Sequence, residues 1–250
     1  MRVLSASSIT LVILFLVASG CARFHHQQPL RWRLVVELDQ SLQDIEKATT
    51  LTAAIISRRL DLIDIQGAKV DVIDAKAGRI QIQLPDVADR ERLKTFLTSG
   101  GKLEIVHVIS PPYPGPIDLY ANLESAKSQG PKQNTRVLPF NEPGTEAKRW
   151  AIVEVPALVT NFDVRNASAI PTDDGVYHVA FNLRQEGAQR FASWTGNNIH
   201  EYVGVVLNDE IKSTAYIKSQ LADSGEISGN FTKASAEDLA QILMSGPLPS

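Results

Sequence analysis

Hydrophobic and polar positions alternate with two different periods along residues 33–109. Apolar residues recur every three to four positions over residues 42–63, which predicts an amphipathic helix with one face on a core. Between residues 80 and 84, isoleucine and leucine alternate with glutamine, which predicts a strand with one buried face. The remaining predicted elements are strands at 33–39, 70–73 and 102–109 and a helix at 89–98. Their order, βαββαβ, predicts a ferredoxin-like base domain.

Residues 110–149 differ in composition from the segment before them. Seven of the chain's prolines fall in this segment, mixed with glycine and polar residues. Proline removes a backbone donor and fixes an extended backbone, so we expect a long linker with at most a short helix near 120–127.

A second α+β unit is predicted over residues 150–250. Apolar side chains alternate over 177–183 as in a half-buried strand, and Glu186–Trp194 has the spacing of a helix. Asn208 and Asp209 separate two apolar runs and are a favourable pair for a hairpin turn. Overall, the pattern predicts an α+β protein with a ferredoxin-like base followed by a second α+β subdomain.

The N-terminus has the features of a targeting segment. A charged start is followed by the apolar run Ile9–Val17, then by small residues and Cys21, the single cysteine of the chain. Ala18-Ser19-Gly20-Cys21 resembles the lipobox of bacterial lipoproteins, although Ala18 replaces the usual leucine. We therefore expect a lipoprotein signal peptide at 1–20, lipid attachment at Cys21 and a tether at 21–32. The alternative is a plain signal peptide or signal anchor in which the cysteine is incidental.

Composition and charge narrow the range of functions. With 25 basic and 28 acidic residues the net charge is −3, so no basic field is available for nucleic acid. The N-terminal run is the single stretch that approaches membrane hydropathy, which excludes a polytopic channel or transporter. The histidines match no metal-ligand spacing, and no nucleotide-binding or nucleophile-elbow motif occurs. We expect no catalytic residues, no metal and no cofactor.

From Val179 onward the sequence resembles the head subdomain of the first periplasmic domain of SecD, the protein-translocation accessory subunit. The residues that carry this resemblance are Phe181, Glu186-Gly187-Ala188, Phe191, Thr195, Asn198, Ser213, Gly225, Ile227, Gly229, Phe231-Thr232, Leu239-Ala240, Leu243, Gly246 and Leu248-Pro249. Upstream, Ile55–Asp61, Arg79–Pro85 and Leu103-Glu104 are similar to the base of that domain. The resemblance covers about 45–110 and 150–249.

The departures from SecD concern its opening segment and its membrane part. The glycines of SecD's Gly-Leu-Asp-Leu segment are missing around Leu38-Asp39, and Asp86 replaces the glycine that follows Pro85. In SecD the segment that resembles Leu248-Pro249 leads into transmembrane helices whose charged residues serve proton coupling. We therefore expect that proton-driven translocation is not available to this chain alone.

The resemblance implies a non-catalytic extracytoplasmic lipoprotein that binds unfolded or secreted polypeptide, or a Sec translocon partner, in protein export. A lipid at Cys21 would hold it on the membrane. Polypeptide contact is predicted at the segment Trp194–Tyr202, through Trp194, Asn197, Asn198 and Tyr202. Two alternatives stay open: a structural envelope lipoprotein with no link to Sec, and an enzyme of unknown type, for which the sequence shows no cluster of titratable groups.

Overall fold

The computed structural model describes residues 9–12, 32–111, 114–129, 133–141 and 148–249. The chain forms two compact units, one of residues 1–100 with 248–250 and one of residues 101–247. Of the predicted N-terminal apolar run, Ile9–Val12 is described, as a strand. The rest of the predicted signal peptide, Cys21 and nearly all of the tether lie outside the described residues.

The described residues of the first unit form a four-stranded antiparallel sheet with two helices. Its elements are β1 (Ile9–Val12), β2 (Trp32–Leu38), α1 (Ile45–Leu62), β3 (Lys69–Asp74), β4 (Arg79–Leu84) and α2 (Arg90–Thr98). The strands lie in the order β1-β2-β4-β3. Leu34 and Val36 of β2 lie opposite Ile82 and Ile80 of β4, and all four side chains are buried. The predicted helices and the alternation over residues 80–84 are therefore confirmed at these positions.

Arg59 on α1 is fully buried and holds the end of α2. Its Nη1 donates hydrogen bonds to the carbonyl oxygens of Phe96, Leu97 and Ser99 at 3.0, 3.0 and 2.7 Å. These carbonyls at the helix end have no partner within the helix. A cation at this position also interacts favourably with the negative end of the helix dipole. Burial lowers the pKa of Arg59 from its ordinary value to about 10, so the guanidinium stays charged at neutral pH.

The second unit is larger and contains two sheets. Its strands are β5 (Leu103–Val108), β6 (Thr135–Asn141), β7 (Lys148–Glu154), β8 (Val159–Thr160), β9 (Val164–Pro171), β10 (Tyr177–Leu183), β11 (Tyr202–Leu207), β12 (Glu210–Tyr216) and β13 (Ser224–Phe231). Its helices are α3 (Leu123–Ser128), α4 (Gln185–Asn197), α5 (Lys233–Ser245) and the 3-10 turn Asn161–Asp163.

Five of these strands close on one another. β11 pairs with β12, β12 with β6, β6 with β7, β7 with β5, and β5 with β11 again. Two of the contacts are narrow, a single parallel bridge between Ile211 and Phe140 and a single bridge between Val108 and Val153. We call this circuit the barrel. The other sheet has the order β13-β10-β9, and α5 packs on β9 and β10.

The position of β5 differs from the prediction. The sequence predicts β5 as the last strand of a ferredoxin-like base, but it pairs with β11 along its whole length, from Leu103 opposite Leu207 to Val108 opposite Tyr202. The described base sheet contains no residue of β5. The α+β class is confirmed, whereas the ferredoxin-like βαββαβ base is not. An alternating apolar pattern indicates a buried face but does not identify the partner strand.

The segment predicted as a linker also contains regular structure. α3 agrees with the expected short helix, but β6 forms seven pairs with β7 in a region where no strand is predicted. Pro139 lies inside β6. β6 has a long ladder with β7 and a single bridge to β12, so one missing backbone donor is tolerated. Further along the chain, the 3-10 turn Asn161–Asp163 leads directly into β9.

Two asparagine side chains hold the start of β5 within the second unit. Asn161 is buried; its Oδ1 accepts the Leu103 N–H at 2.7 Å and its Nδ2 donates to the Gly101 carbonyl at 2.9 Å. Asn208 Oδ1 accepts the Lys102 N–H at 3.0 Å. The predicted hairpin turn is confirmed, because Asn208 and Asp209 have φ values of 52° and 60°, as a primed turn requires.

Candidate functional site

Trp194 lies in the last turn of α4, in the second unit. The helix buries Phe191 and Thr195 on its inner face, and Trp194 is half-buried against the same core cluster. The indole ring contacts the His107 ring of β5, with centroids 5.1 Å apart and planes tilted by 56°. This tilted contact is a favourable aromatic arrangement, and it holds one side of the indole in a fixed position.

His107 lies between two carboxylates. Its Nε2 is 3.3 Å from Glu201 Oε2, and its Nδ1 is 3.0 Å from Glu154 Oε2. The Glu154 contact has the distance of an ion pair but not the angle of a hydrogen bond, since Nδ1 has no hydrogen-bond partner among the described residues. The imidazole therefore links β5 to the end of β7 and to the residue before β11. Because the Glu154 side chain is 52% exposed, the rim around the indole is acidic.

The end of α4 is fixed by a side-chain cap. Asn198 Nδ2 donates to the Trp194 carbonyl at 2.7 Å, which satisfies one of the carbonyls that the helix leaves open. Asn197 is exposed and Asn198 is half-buried. Three of the four residues predicted to contact polypeptide therefore lie together at one helix end. We call His107, Glu154, Trp194, Asn197 and Glu201 the Trp194 surface.

Tyr202 has a different environment from the one expected of a contact residue. It begins β11, is 8% exposed, and donates its hydroxyl to the Gly115 carbonyl at 2.8 Å. Its ring lies 6.0 Å from that of Tyr216. Tyr202 is therefore a packing residue of the barrel, and the segment between α4 and β11 is short, residues 198–201.

His200 and Tyr216 extend the aromatic character beside this segment. Their rings are stacked with centroids 6.0 Å apart, and His200 Nδ1 lies 3.1 Å from the Tyr216 hydroxyl. Sequence reasoning missed these residues and also His107, Glu154 and Glu201. The groups come from four strands or strand ends and meet through the pairings of β5 with β11 and β7 and of β11 with β12, so no local spacing in the sequence predicts them.

A separate ion-pair network lies around the start of β5. Lys102 Nζ is 3.3 Å from Glu104 Oε2 and 3.0 Å from Asp209 Oδ1, and Arg136 contacts the same two carboxylates. The network joins β5, β6 and the β11–β12 turn. Each charge has partners of opposite sign, so we assign it to barrel stability.

Within the part of the chain that the structure describes, no group of three or more histidine, cysteine or acidic residues is arranged to hold a metal ion. No helix among those residues is long and apolar enough to cross a membrane. Cys21, the predicted lipid attachment site, lies outside them.

Comparisons with known families and proteins find SecD and SecDF as relatives of this chain. Residues 135–250 match the family model described as SecDF, P1 head subdomain. The protein translocase subunit SecD of Koribacter versatilis is 34% identical over 198 residues, which are 78% of this chain and 36% of that protein. SecD of Aquifex aeolicus is 30% identical over 222 residues, 87% of this chain and 41% of that protein. The chain thus spans well under half the length of these relatives.

Solved structures of SecDF share the fold. A chain described as belonging to a membrane component SecDF that enhances protein export superposes with a TM-score of 0.62 at 21% identity. The match covers 87% of this chain and 94% of that one. SecDF in a super-membrane-facing form gives a TM-score of 0.64 at 21% identity, over 87% of this chain and 28% of that chain.

Proposed function

Because the chain is related over most of its length to the first periplasmic domain of SecD, we propose that it binds extended polypeptide outside the cytoplasm during protein export. Its proposed role is to bind the exported polypeptide, without catalysing a reaction. The observation that carries the proposal is the match of residues 135–250 to the SecDF head subdomain, the part that contains every residue of the Trp194 surface except His107.

The Trp194 surface has the chemistry for such a contact. The indole offers a rigid apolar face, and aromatic residues contribute large contact area at small entropic cost. Glu154 and Glu201 accept hydrogen bonds from a passing backbone or from basic side chains, and Asn197 offers both a donor and an acceptor. We propose that Trp194, Asn197 and Asn198 contact the polypeptide, whereas Tyr202 packs in the barrel.

We further propose that a lipid on Cys21 tethers the molecule, with residues 21–32 as the connecting segment. Two or more acyl chains suffice for stable membrane attachment. Metabolic labelling with a fatty-acid analogue tests this part directly. The wild-type chain is expected to take up label and Cys21→Ser is expected to take up none; equal labelling would contradict lipid attachment at this residue.

The contact itself is tested by site-specific photocrosslinking in cells. A photoreactive amino acid at the exposed position Asn197 is expected to capture exported polypeptides. The same probe at Asp173, an exposed residue of the β9–β10 turn, serves as the matched control and is expected to capture few. Equal capture at both positions, or none at Asn197, would contradict the proposed contact.

Co-purification with the Sec translocon separates this role from a purely structural one. The proposal predicts that translocon subunits accompany the chain isolated from membranes under mild detergent. Their absence, together with a negative crosslinking result, would favour an envelope protein without a link to Sec.

A further inference from the structure

The outer edge of β2 already carries an extended segment of this chain. Ile9–Val12 pairs antiparallel with β2, Ile9 opposite Leu38 and Val12 opposite Val35. This segment is the start of the apolar run that the sequence predicts to be removed with the signal peptide. Removal would leave the outer edge of β2 without this partner, and free strand edges readily accept another strand.

We propose that the outer edge of β2 is a strand-acceptor site for extended, alternately apolar polypeptide, and that Ile9–Val12 occupies it in the unprocessed chain. This proposal rests on the proposed function in one respect: that function supplies the exported polypeptide that would bind to the edge. The leader thus acts as an internal competitor, and its loss opens the site.

The backbone pattern identifies the groups that would bind. The Leu38 N–H donates to the Gly78 carbonyl, on the β4 side of β2. Because donors alternate along a strand, Val36 also faces β4, whereas the backbone groups of Val35 and Glu37 face the outer edge. In the observed register these two residues lie opposite Val12 and Thr10. An incoming strand would therefore exchange its hydrogen bonds with Val35 and Glu37.

The side chains of β2 determine what the site accepts. Leu34, Val36 and Leu38 are buried on one face, while Val35 and Glu37 are half-buried on the other. Residues directly opposite each other on paired strands share a face. An occupant therefore needs apolar residues opposite Val36 and Leu38 and tolerates polar ones between them.

An open recess lies at the end of β2 where a bound strand would leave the sheet. It is lined by Glu37, Leu38, Asp39, Gln40, Ala77 and Arg79. In the antiparallel register, an occupant residue that precedes the position opposite Leu38 passes this end of β2. Glu37 and Arg79 form an ion pair of 2.9 Å there, so the recess is polar and suits a hydrophilic flank of the occupant.

Amide hydrogen exchange on the full-length chain tests the site. Thr10→Pro combined with Val12→Pro removes the two donors that face β2. Exchange at Val35 and Glu37 is expected to become roughly 30-fold faster, the factor for loss of two ordinary backbone hydrogen bonds. Unchanged exchange would overturn the assignment of Ile9–Val12 as the occupant.

A synthetic peptide then probes the emptied edge. The peptide contains residues 7–13 with a lysine at each end, and the control peptide carries N-methyl groups at the residues equivalent to Thr10 and Val12. The first peptide is expected to restore slow exchange at Val35 and Glu37 in the double-proline variant, and the control is not. Equal protection by both peptides would overturn the proposal, since strand addition requires those donors.

Edge-directed substitutions complete the test in the double-proline background. Val35→Pro removes an outward donor of β2 and is therefore expected to abolish peptide binding. The sheet itself should remain folded, because proline is tolerated at a strand edge. By the same alternation Val72 of β3 faces the opposite edge, so Val72→Pro is the matched control and should leave binding unchanged. Protection that depends on protein concentration without peptide would assign the edge to a second copy instead. Failure here would leave the crosslink at Asn197 unaffected, because the two sites share no residue.

Discussion

The sheet of the first unit and the barrel of the second unit treat their strand edges in opposite ways. In the first unit the sheet is open, and β3 pairs only with β4 among the described strands. In the second unit five strands pair in a circuit, so each barrel strand has a described neighbour on both sides. A closed circuit removes edges, whereas an open sheet leaves backbone donors and acceptors for another chain.

The difference suggests two ways of holding a polypeptide. The open sheet can add a strand through backbone hydrogen bonds, which are indifferent to most of the sequence. The barrel has to use side chains that project from it, and the Trp194 surface is where an indole, two carboxylates and an amide meet. The predictions that follow test the two units separately.

The largest effect is expected from Arg59→Ala in the first unit. It removes three charge-assisted hydrogen bonds from the end of α2 and leaves a buried space, which should cost about 3–5 kcal/mol of unfolding free energy. Denaturant unfolding measures the cost, with Arg58→Ala, an exposed neighbour on α1, as the control. Equal small effects of both substitutions would show that Arg59 does not hold α2.

Asn161→Ala tests how β5 is held in the second unit. The substitution leaves the Leu103 N–H and the Gly101 carbonyl without their side-chain partner, at a cost of about 2–3 kcal/mol. Amide exchange in β5 and β11 should accelerate, while exchange in α1 of the first unit should not. The exposed Asn166→Ala is the control; acceleration of equal size in α1 would contradict a local role.

Two glycines of α4 are expected to respond in opposite directions. A Cβ at Gly187 would lie 2.7 Å from Asp163 Cβ, so Gly187→Ala should destabilise by about 1–3 kcal/mol. The nearest described atoms to a Cβ at Gly196 belong to the Gln220 side chain at 3.5 Å, an ordinary contact, so Gly196→Ala should stabilise by up to about 1 kcal/mol. Thermal unfolding of both variants tests this difference. Equal destabilisation by Gly187→Ala and Gly196→Ala would contradict the close approach of Gly187 to Asp163.

The smallest effect concerns the contact itself. Trp194→Ala should reduce photocrosslinking at Asn197 by about tenfold, the loss typical of one central aromatic contact, with little change in yield at Asp173. Trp150→Ala, at the other tryptophan of the second unit, is the control. If both variants reduced crosslinking equally, the effect would come from altered folding and not from the Trp194 surface.

Local features were predictable from the sequence, and non-local ones were not. The α1 periodicity, the alternation in β4 and the turn at Asn208-Asp209 each follow from neighbouring residues. The partner of β5 lies about a hundred residues away, and nothing in Leu103–Val108 distinguishes β11 from β2 as a neighbour. β6 was not predicted because it contains Pro139. A proline argues against a strand that is fully paired on both sides, but β6 is sparsely paired on one side.

The candidate site divides in the same way. Trp194, Asn197 and Asn198 were found because they are close in sequence at a helix end. His107, Glu154 and Glu201 were missed because their proximity depends on the pairing of β5 with both β11 and β7. Tyr202 was predicted to contact polypeptide, but as the first residue of β11 it is buried in the barrel, where its hydroxyl donates to the Gly115 carbonyl.

Amide hydrogen exchange of the full-length chain, with and without a saturating reduced and alkylated polypeptide, tests polypeptide binding most directly. We predict slower exchange at residues 197–201 when the polypeptide is present, with unchanged exchange in the barrel strands β5 and β11. Identical exchange at residues 197–201 in the two samples would contradict polypeptide binding at the Trp194 surface.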